Sequence, residues 1–369
     1  MGTNLYDINV DLGERSYDIH VGYGNHRDLV NYLQQLALNH QVAVISTPPV
    51  SELYLSAVIN QFDRNWYVKS YDVPDGEKSK SAGTVSELYT WLLENKFERK
   101  STLITLGGGV VGDLGGFVAA TYLRGVNLIH LPTSLLAQVD SSIGGKVGIN
   151  HPLGKNLIGS FYQPKKVITD VSCLNTLPVD EFICGLGEVV KYAIIEGGVL
   201  FEKISNRLDA IGQKDPDFLT EIVRDCIQSK VDIVIKDEME QGIRAYLNLG
   251  HTFAHALETY YHYQGLKHGQ AVLLGIKCAV QASHLLQLTD TAAAKQISDL
   301  IDRMKIELPR KKAVNRAELV TIMKKDKKIR DGIVHLVLPQ EPGKIIVVPV
   351  TDEKILMESF AVLDQLLAD

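Results

Sequence analysis

One stretch constrains this chain more than any other. Leu103-Ile104-Thr105-Leu106 is a short apolar run that breaks into Gly107-Gly108-Gly109-Val110-Val111-Gly112-Asp113-Leu114-Gly115-Gly116. An apolar strand, a glycine turn and a small-residue helix start together make a phosphate cradle. Backbone N–H groups at the helix N-terminus point at the anion, and glycine lets the main chain come close. Such turns also arise wherever the backbone needs positive φ. The spacing is not G-x-G-x-x-G, because Gly107, Gly109 and Gly112 fit it only with an extra glycine between, and no Gly-Lys-Ser/Thr closes a Walker A loop. The next segments add functional groups. Pro132-Thr133-Ser134-Leu135-Leu136-Ala137-Gln138-Val139-Asp140-Ser141-Ser142-Ile143-Gly144-Gly145-Lys146 brings hydroxyls, a carboxylate and a lysine, and Gly154-Lys155-Asn156 a second lysine and an amide. Glycines interleaved with these groups suit a polar, phosphorylated ligand.

The surrounding pattern sets the fold. Tyr17–Val21 alternates with period two, Gln41–Ser46 is a continuous apolar run ended by Pro48-Pro49, and Trp66-Tyr67-Val68 is a third strand candidate. The charged turn Pro74–Lys80 follows, then Val85, Leu88, Trp91 and Leu92 fall on one helical face. Strands alternating with helices predict a parallel, doubly wound sheet, with ligands beyond the carboxyl ends of its strands. After Leu177-Pro178 the periodicity turns helical to about Leu308. Asp180 is the expected N-cap of a helix whose apolar stripe is Phe182, Leu186, Val189, Val190 and Ala193. A late hairpin, Val334–Leu338 and Lys344–Val350, turns at Glu341-Pro342-Gly343, and a final amphipathic helix starts at Thr351. At 369 residues, the chain is expected to hold an α/β domain over residues 1–177 and a mostly α-helical domain over 178–369.

Composition excludes several function classes. A formal charge of −6 offers no basic field for nucleic acid. There is no signal-peptide pattern and no run long enough for a bilayer, and Tyr6 argues against myristoylation at Gly2. The four cysteines are scattered without a C-x-x-C. A cytoplasmic protein is expected.

The helical half carries its own chemistry. Gly185–Tyr192 puts Glu188 inside an apolar stripe with Lys191 three residues on, a spacing that by itself reads as an ion pair. In Asn248-Leu249-Gly250-His251-Thr252-Phe253-Ala254-His255, two histidines four apart share a helical face, as metal-ligating pairs do, although 11 histidines in the chain make that spacing easy to meet by chance. Lys267-His268-Gly269 supplies a third. One glutamate and two or three histidines match the donor set of a catalytic zinc-type site. The run Lys324–Gly332 is basic, either a solvated face or an anion clamp.

Taken together, Asp75–Lys80, Gly107–Gly116, Ala120–Gly125, Pro132–Asn150, Gly154–Pro164, Gly187–Tyr192, Leu247–His255, His268-Gly269 and Asp326-Lys327-Lys328 closely resemble the 3-dehydroquinate synthase family, over nearly the whole chain and in one order. The resemblance implies a Rossmann-like N-terminal domain, a helical C-terminal domain, NAD, one divalent metal (zinc or cobalt), a homodimer and a sugar phosphate substrate. That substrate is 3-deoxy-D-arabino-heptulosonate 7-phosphate, and the products are 3-dehydroquinate and phosphate. Transient oxidation at C5 acidifies the C6 proton, phosphate is eliminated, the ketone is reduced again, and an aldol step closes the ring. It further implies Glu188, His251 and His268 as metal ligands, which moves His255 from the metal to the substrate. Substrate contacts would be Arg124, Asp140, Lys146, Asn156, Lys191, Arg244, Asn248, His255 and a lysine of Lys327-Lys328, with Lys146, Asn156, Lys191 and His255 catalytic and Arg124 reaching across the dimer. NAD would be held by Asp75, Glu77, Lys80, Gly108, Gly109, Val110, Val111, Gly112, Asp113, Thr133, Ser134, Leu136, Lys146, Lys155, Cys173, Leu174, Asn175 and Thr176.

Departures from the family pattern are few: Thr47, Ser134, Val147, Ala254 and Gln270 replace frequent Asp or Asn, Thr, Thr, Gly and Glu. None removes a group that the chemistry needs. Related cyclases share the metal residues and the loop, but this chain keeps the family form of Asp140–Lys146 and has Arg244 for a substrate carboxylate. A metal-dependent polyol dehydrogenase would release NADH. A binding protein on this scaffold would be expected to lack Glu188, Lys191, His251 or His268.

Overall fold

The computed structural model describes residues 5–36, 38–309, 314–325 and 333–367. Its packing divides into two units, Met1–Leu177 with Gln213–Met239, and Pro178–Gly212 with Glu240–Asp369. The first unit's strands are β1 (Tyr6–Val10), β2 (Tyr17–Gly22), β3 (Gln41–Ser46), β4 (Tyr67–Asp72), β5 (Thr102–Gly107), β6 (Asn127–Pro132), β7 (Lys146–His151), β8 (Gly154–Phe161) and β9 (Lys166–Asp170). Seven of them form one sheet in the order β1-β2-β9-β6-β5-β3-β4. Every pairing in it is parallel except β1 with β2, and β7 and β8 form a separate hairpin.

Helices α1 (Leu29–Gln35), α2 (Pro48–Ile59), α3 (Ala82–Glu94) and α4 (Gly109–Thr121) cover the sheet. The apolar run of β3 explains why both faces need cover. Val42 and Val44 enter one core with Leu29, Leu33, Val58 and Ile104. Ala43 and Ile45 enter the other with Val85, Leu88, Leu92, Leu103 and Leu114. Alternate residues of a strand face opposite ways, so a strand between two layers must be apolar throughout. Pro48 and Pro49 end the strand, as expected, and open α2, where the fixed proline φ suits the first helical turn.

One buried polar group in this sheet sets a pH dependence. His130 of β6 is 3% exposed, with Nδ1 2.6 Å from Thr105 Oγ1, and burial lowers its pKa from 6.5 to about 4. The unfolded chain therefore takes up this proton first. Stability contributed by the neutral ring is complete above the unfolded value and is lost as pH falls from 6.5 towards about 4, by up to about 3 kcal/mol. Urea unfolding of His130→Gln is expected to show a correspondingly shallower fall across that window. Identical pH profiles for the two proteins would refute the assignment.

The second unit contains α5 (Val179–Glu196) and α6 (Gly198–Gly212); α7 (Pro216–Lys236) returns to the first unit. There α7 packs on β1, β2 and the turns at Ala137–Ser141 and Val171–Asn175. Periodicity alone marks α7 as a helix without saying what it packs on. Next come α8 (His251–Tyr260), α9 (His268–Leu285), α10 (Thr291–Asp302), α11 (Arg316–Met323), the hairpin β10 (Val334–Glu341) with β11 (Lys344–Val350), and α12 (Glu353–Ser359). Helix α9 is central, packed by α5, α8, α10, α12 and β10.

Two expected helix starts shift. Pro178, not Asp180, precedes α5, and Asp180 lies in its first turn. Asp352 caps α12, its side chain accepting from Lys354 N at 2.8 Å. The stripe Phe182, Leu186, Val189, Val190 and Ala193 is buried. The fold is α/β, with a Rossmann-like first unit and a mostly helical second. Among the described residues, no helix is long and apolar enough to cross a membrane.

Candidate functional site

In the first unit the glycine run divides by role. A Cβ at Gly115 would stand 2.5 Å from Thr105 Cγ2, and one at Gly116 2.3 Å from Val147 Cγ1. These two glycines let α4 lie against β5 and β7. Gly108 and Gly109 instead face hydroxyls, Ser134 Oγ at 3.3 Å and Ser141 Oγ at 3.0 Å from the same built position. Helix α4 starts at Gly109; Gly112 N already donates to Gly108 O at 3.0 Å, so within the N-terminal turn it is the N–H groups of Gly109, Val110 and Val111 that favour an anion.

Beside this turn, buried Lys80 donates to Asp113 Oδ2 (2.7 Å) and Asn156 Oδ1 (2.6 Å), with Glu77 Oε1 at 3.6 Å. Burial raises the Asp113 pKa even though Lys80 opposes the shift. Asn150 ties the cluster together, donating to Glu77 Oε1 (2.8 Å) and accepting from Asn156 N (2.9 Å). Asn156 itself sits at φ +52°. Asn150 lies in the Pro132–Asn150 stretch, where neither spacing nor the resemblance gives it a role. Asp75, Lys146 and Lys155 are exposed.

Thr133 N donates to Gly107 O at 3.0 Å, and Ser134 Oγ accepts from Ala137 N at 3.3 Å; Leu136 is half-buried between them. The next turn, Ala137–Ser141, is π-helical, a geometry frequent at functional sites. In it Asp140 takes Lys230 Nζ on Oδ1 and on its carbonyl, both at 2.6 Å. Lys230 of α7 is 6% exposed and lies ninety residues away in sequence. No local pattern marks it.

Further along, Tyr54 Oη bonds Cys173 O at 3.2 Å and also Thr176 Oγ1. Asn175 Nδ2 donates to Tyr23 Oη at 2.6 Å, and Leu174 is buried. Arg124 is exposed, carried by successive residues at φ +50° (Leu123), +69° (Arg124) and +120° (Gly125). Positive φ at two non-glycine residues in succession is strain of the kind that collects at functional sites.

The second unit holds a tighter constellation. A Cβ at Gly269 would stand 1.7 Å from Cys184 O, and one at Gly187 2.2 Å from Gly269 O. Helices α5 and α9 thus cross backbone to backbone, which sets Glu188 against His268. Likewise Gly250, at φ +77°, and Gly275 bring the start of α8 onto α9; a Cβ at Gly275 would be 2.2 Å from Gly250 O. That contact delivers His251.

Glu188 is fully buried, and among the described residues neither of its carboxylate oxygens accepts a hydrogen bond. Oε2 is ion-paired with Lys191. Oε1 faces His268 Nε2 at 3.6 Å and His251 Nε2 at 3.8 Å. The opposite ring nitrogens point to other acceptors, His251 Nδ1 to Leu249 O (3.1 Å) and His268 Nδ1 to Glu258 Oε1 (3.4 Å). Burial works against a protonated His268, yet the Glu258 hydrogen bond and the Glu258 and Glu188 carboxylates outweigh it and raise the pKa.

One ligand atom from each of Glu188, His251 and His268 lies within 4.8 Å of the others. Donors about 2.1 Å from a shared ion at tetrahedral angles stand about 3.4 Å apart, so the separations fit a divalent metal. An unsatisfied buried carboxylate oxygen facing two imidazole nitrogens is otherwise costly. His255 is outside this set, with its ring 5.8 Å from that of His251 and 6.5 Å from that of His268. Arg244 is 1% exposed, and Asn248 donates to Glu240 Oε1 at 3.1 Å. Lys327 and Lys328 lie outside the described residues.

A second grouping, His26, Asp170 and Cys173 in the first unit, fits an ion poorly. Asp170 already accepts from Gly24 N (2.8 Å), Ser172 N (2.8 Å), His26 N (3.0 Å) and His26 Nδ1. Burial pushes the Cys173 thiol up to about 12, far from the thiolate that binds metal.

Comparison with known proteins adds to this geometry. The models describing 3-dehydroquinate synthase N-terminal and C-terminal regions match residues 70–184 and 185–329. A 3-dehydroquinate synthase of Shewanella frigidimarina is 41% identical over 357 residues, 96% of this chain and 99% of the relative. Among solved structures, a 2-deoxy-scyllo-inosose synthase complexed with carbaglucose-6-phosphate, NAD+ and Co2+ superposes with TM-score 0.85 at 22% identity, covering 96% and 99% of the two chains. A 2-epi-5-epi-valiolone synthase of Streptomyces hygroscopicus with NAD+ and Zn2+ gives 0.86 at 22%, covering 96% and 98%. At that identity the likeness establishes the fold.

Proposed function

The chain belongs to the 3-dehydroquinate synthase family, and on that footing we propose that it acts as a phosphate-eliminating lyase of the shikimate pathway. It converts 3-deoxy-D-arabino-heptulosonate 7-phosphate to 3-dehydroquinate and phosphate, with NAD and one divalent metal, zinc or cobalt. The observation that carries the reading is the buried Glu188 Oε1, which accepts no hydrogen bond among the described residues and faces Nε2 of His251 and of His268.

Glu188, His251 and His268 would hold the metal, which supplies Lewis-acid polarisation of the substrate hydroxyl that is oxidised. The residues named below would hold NAD, which would supply reversible hydride acceptance, so that the sum of the reaction is redox-neutral. The NAD pyrophosphate would lie on the N-terminal turn at Gly109–Val111, where the helix dipole and N–H groups not used within the helix act together. Lys80, which pairs with both Asp113 and Glu77, would keep that loop in shape, while Thr133, Ser134, Lys155 and Cys173–Thr176 would complete the nucleotide contacts.

On the substrate, Lys146, Asn156 and His255 would surround the phosphate, where cationic and N–H donors stabilise the departing anion. Arg244 offers a guanidinium that can take a carboxylate in two parallel bonds. Lys191, Asn248 and Asp140, the last paired with Lys230, are the proposed contacts of the ring hydroxyls. A cytoplasmic homodimer is part of this reading, with exposed, strained Arg124 as the residue that one protomer lends its partner.

Metal removal tests the reading. The protein incubated with the heptulosonate phosphate, NAD and zinc is expected to form 3-dehydroquinate. A metal-stripped sample should form none until zinc or cobalt is returned. Undiminished product formation after stripping would contradict it.

A further inference from the structure

Helix α8 presents His251, His255 and Glu258 at spacings of four and three, which places them along one face. Glu258 is 6% exposed, and its Oε1 lies 3.4 Å from Nδ1 of His268. His268 is the first residue of α9 and keeps 35% of its side chain exposed, against 12% for His251. Packing alone therefore leaves the His268 ring less enclosed than that of His251.

A neutral imidazole carries one N–H, and the nitrogen that bears it cannot ligate a metal. An ionised carboxylate only accepts, so a carboxylate beside Nδ1 draws the proton there and leaves the Nε2 lone pair free. Nε2 is the nitrogen that lies 3.6 Å from Glu188 Oε1.

We propose that Glu258 is the positioning residue of the metal centre: it fixes the tautomer and the orientation of the His268 ring so that Nε2 points at the site shared with Glu188 and His251. It touches neither substrate nor metal. Because one helix supplies both His251 and Glu258, a single contact of α8 with α9 sets one ligand directly and the other through its partner. This inference rests on the metal-ligand reading above.

The test is metal binding by the full-length protein, independent of turnover. Metal-free wild type and variants are titrated with zinc against a chromophoric chelator, and the cobalt forms are compared by their d–d absorption. Glu258→Ala is expected to weaken zinc binding about 10- to 100-fold and to alter the cobalt spectrum. Glu258→Gln, whose amide oxygen can still accept from Nδ1–H, should recover most of the loss. In a His268→Ala background the Glu258→Ala change should have no further effect.

Wild-type affinity and spectrum in a folded Glu258→Ala protein would overturn the proposal, as would an equal loss in both backgrounds. If Glu258→Ala does not fold, the same cycle with Glu258→Met, which keeps the bulk of the side chain and removes the oxygen acceptor, decides. A loss of several-fold present only with His268 supports the proposal, and no loss, or the same loss in both backgrounds, overturns it. If His268→Ala binds zinc as wild type does, the ligand reading itself fails and this inference with it. Normal ligands with an indifferent Glu258 would remove this inference alone.

Discussion

Glu188→Gln is expected to lower kcat/KM about 10³-fold or more in a protein that still folds. The substitution keeps the volume of a side chain that is fully buried and keeps an oxygen near where Oε1 now lies. What it removes is the charge. A neutral amide is a poor ligand for a divalent ion, so the site would keep two imidazoles of its three donors. Losing several kcal/mol of Lewis-acid stabilisation corresponds to about three decades in rate. A second readout separates ligand loss from a damaged fold. Zinc at about a thousandfold above its dissociation constant stabilises a folded protein by about 4 kcal/mol, so it should raise the Tm of the wild type and leave that of Glu188→Gln where it was. Equal zinc-induced shifts in both proteins would show that Glu188 is not a ligand.

The second large effect comes from a residue without a side chain. A Cβ at Gly269 would fall 1.7 Å from Cys184 O, with the carbonyl carbon at 2.6 Å. Those are backbone atoms of the helical turn that carries Glu188, so no side-chain rotation relieves the clash, and α5 must move relative to α9. Overpacking in a core costs about 1–3 kcal/mol even where side chains can adjust, so Gly269→Ala is expected to cost more than about 3 kcal/mol and to spread the three ligands apart. Urea unfolding and zinc titration measure the two consequences. Gly212→Ala is the contrast, because a Cβ there meets nothing within 4 Å. Near-wild-type stability and zinc affinity in Gly269→Ala would mean that the crossing of α5 and α9 does not depend on a bare backbone.

Much of this architecture is legible in the sequence because it follows from local periodicity. Gln41–Ser46 reads as a strand buried on both faces, and it has α-helical layers on both. The late hairpin turns at Gly343, at φ +88°, as expected. The parts that resist reading depend on contacts distant in sequence. The β7–β8 hairpin is rich in glycine and polar residues and lacks a strand's signature. Its Gly148 and Gly159 are there because a Cβ on either would meet the opposite strand's carbonyl at 2.6 or 2.4 Å.

At the candidate site, spacing alone pairs His251 with His255, one helical turn apart. Tertiary packing through Gly250 and Gly275 pairs His251 with His268 instead. Residue types alone group Glu188 with two or three histidines, and only the resemblance selects His251 and His268 from them. Lys230 beside Asp140 and Glu258 beside His268 lie on faces that periodicity alone cannot assign to a partner.

The most direct test of the account follows phosphate and nicotinamide in one cuvette, with the heptulosonate phosphate, catalytic NAD and zinc. Steady release of phosphate with no net gain in NADH absorbance, stopped by a chelator, is the expected result. Accumulation of NADH from a polyol, with no phosphate released from the heptulosonate phosphate, would contradict it and identify a dehydrogenase on the same scaffold.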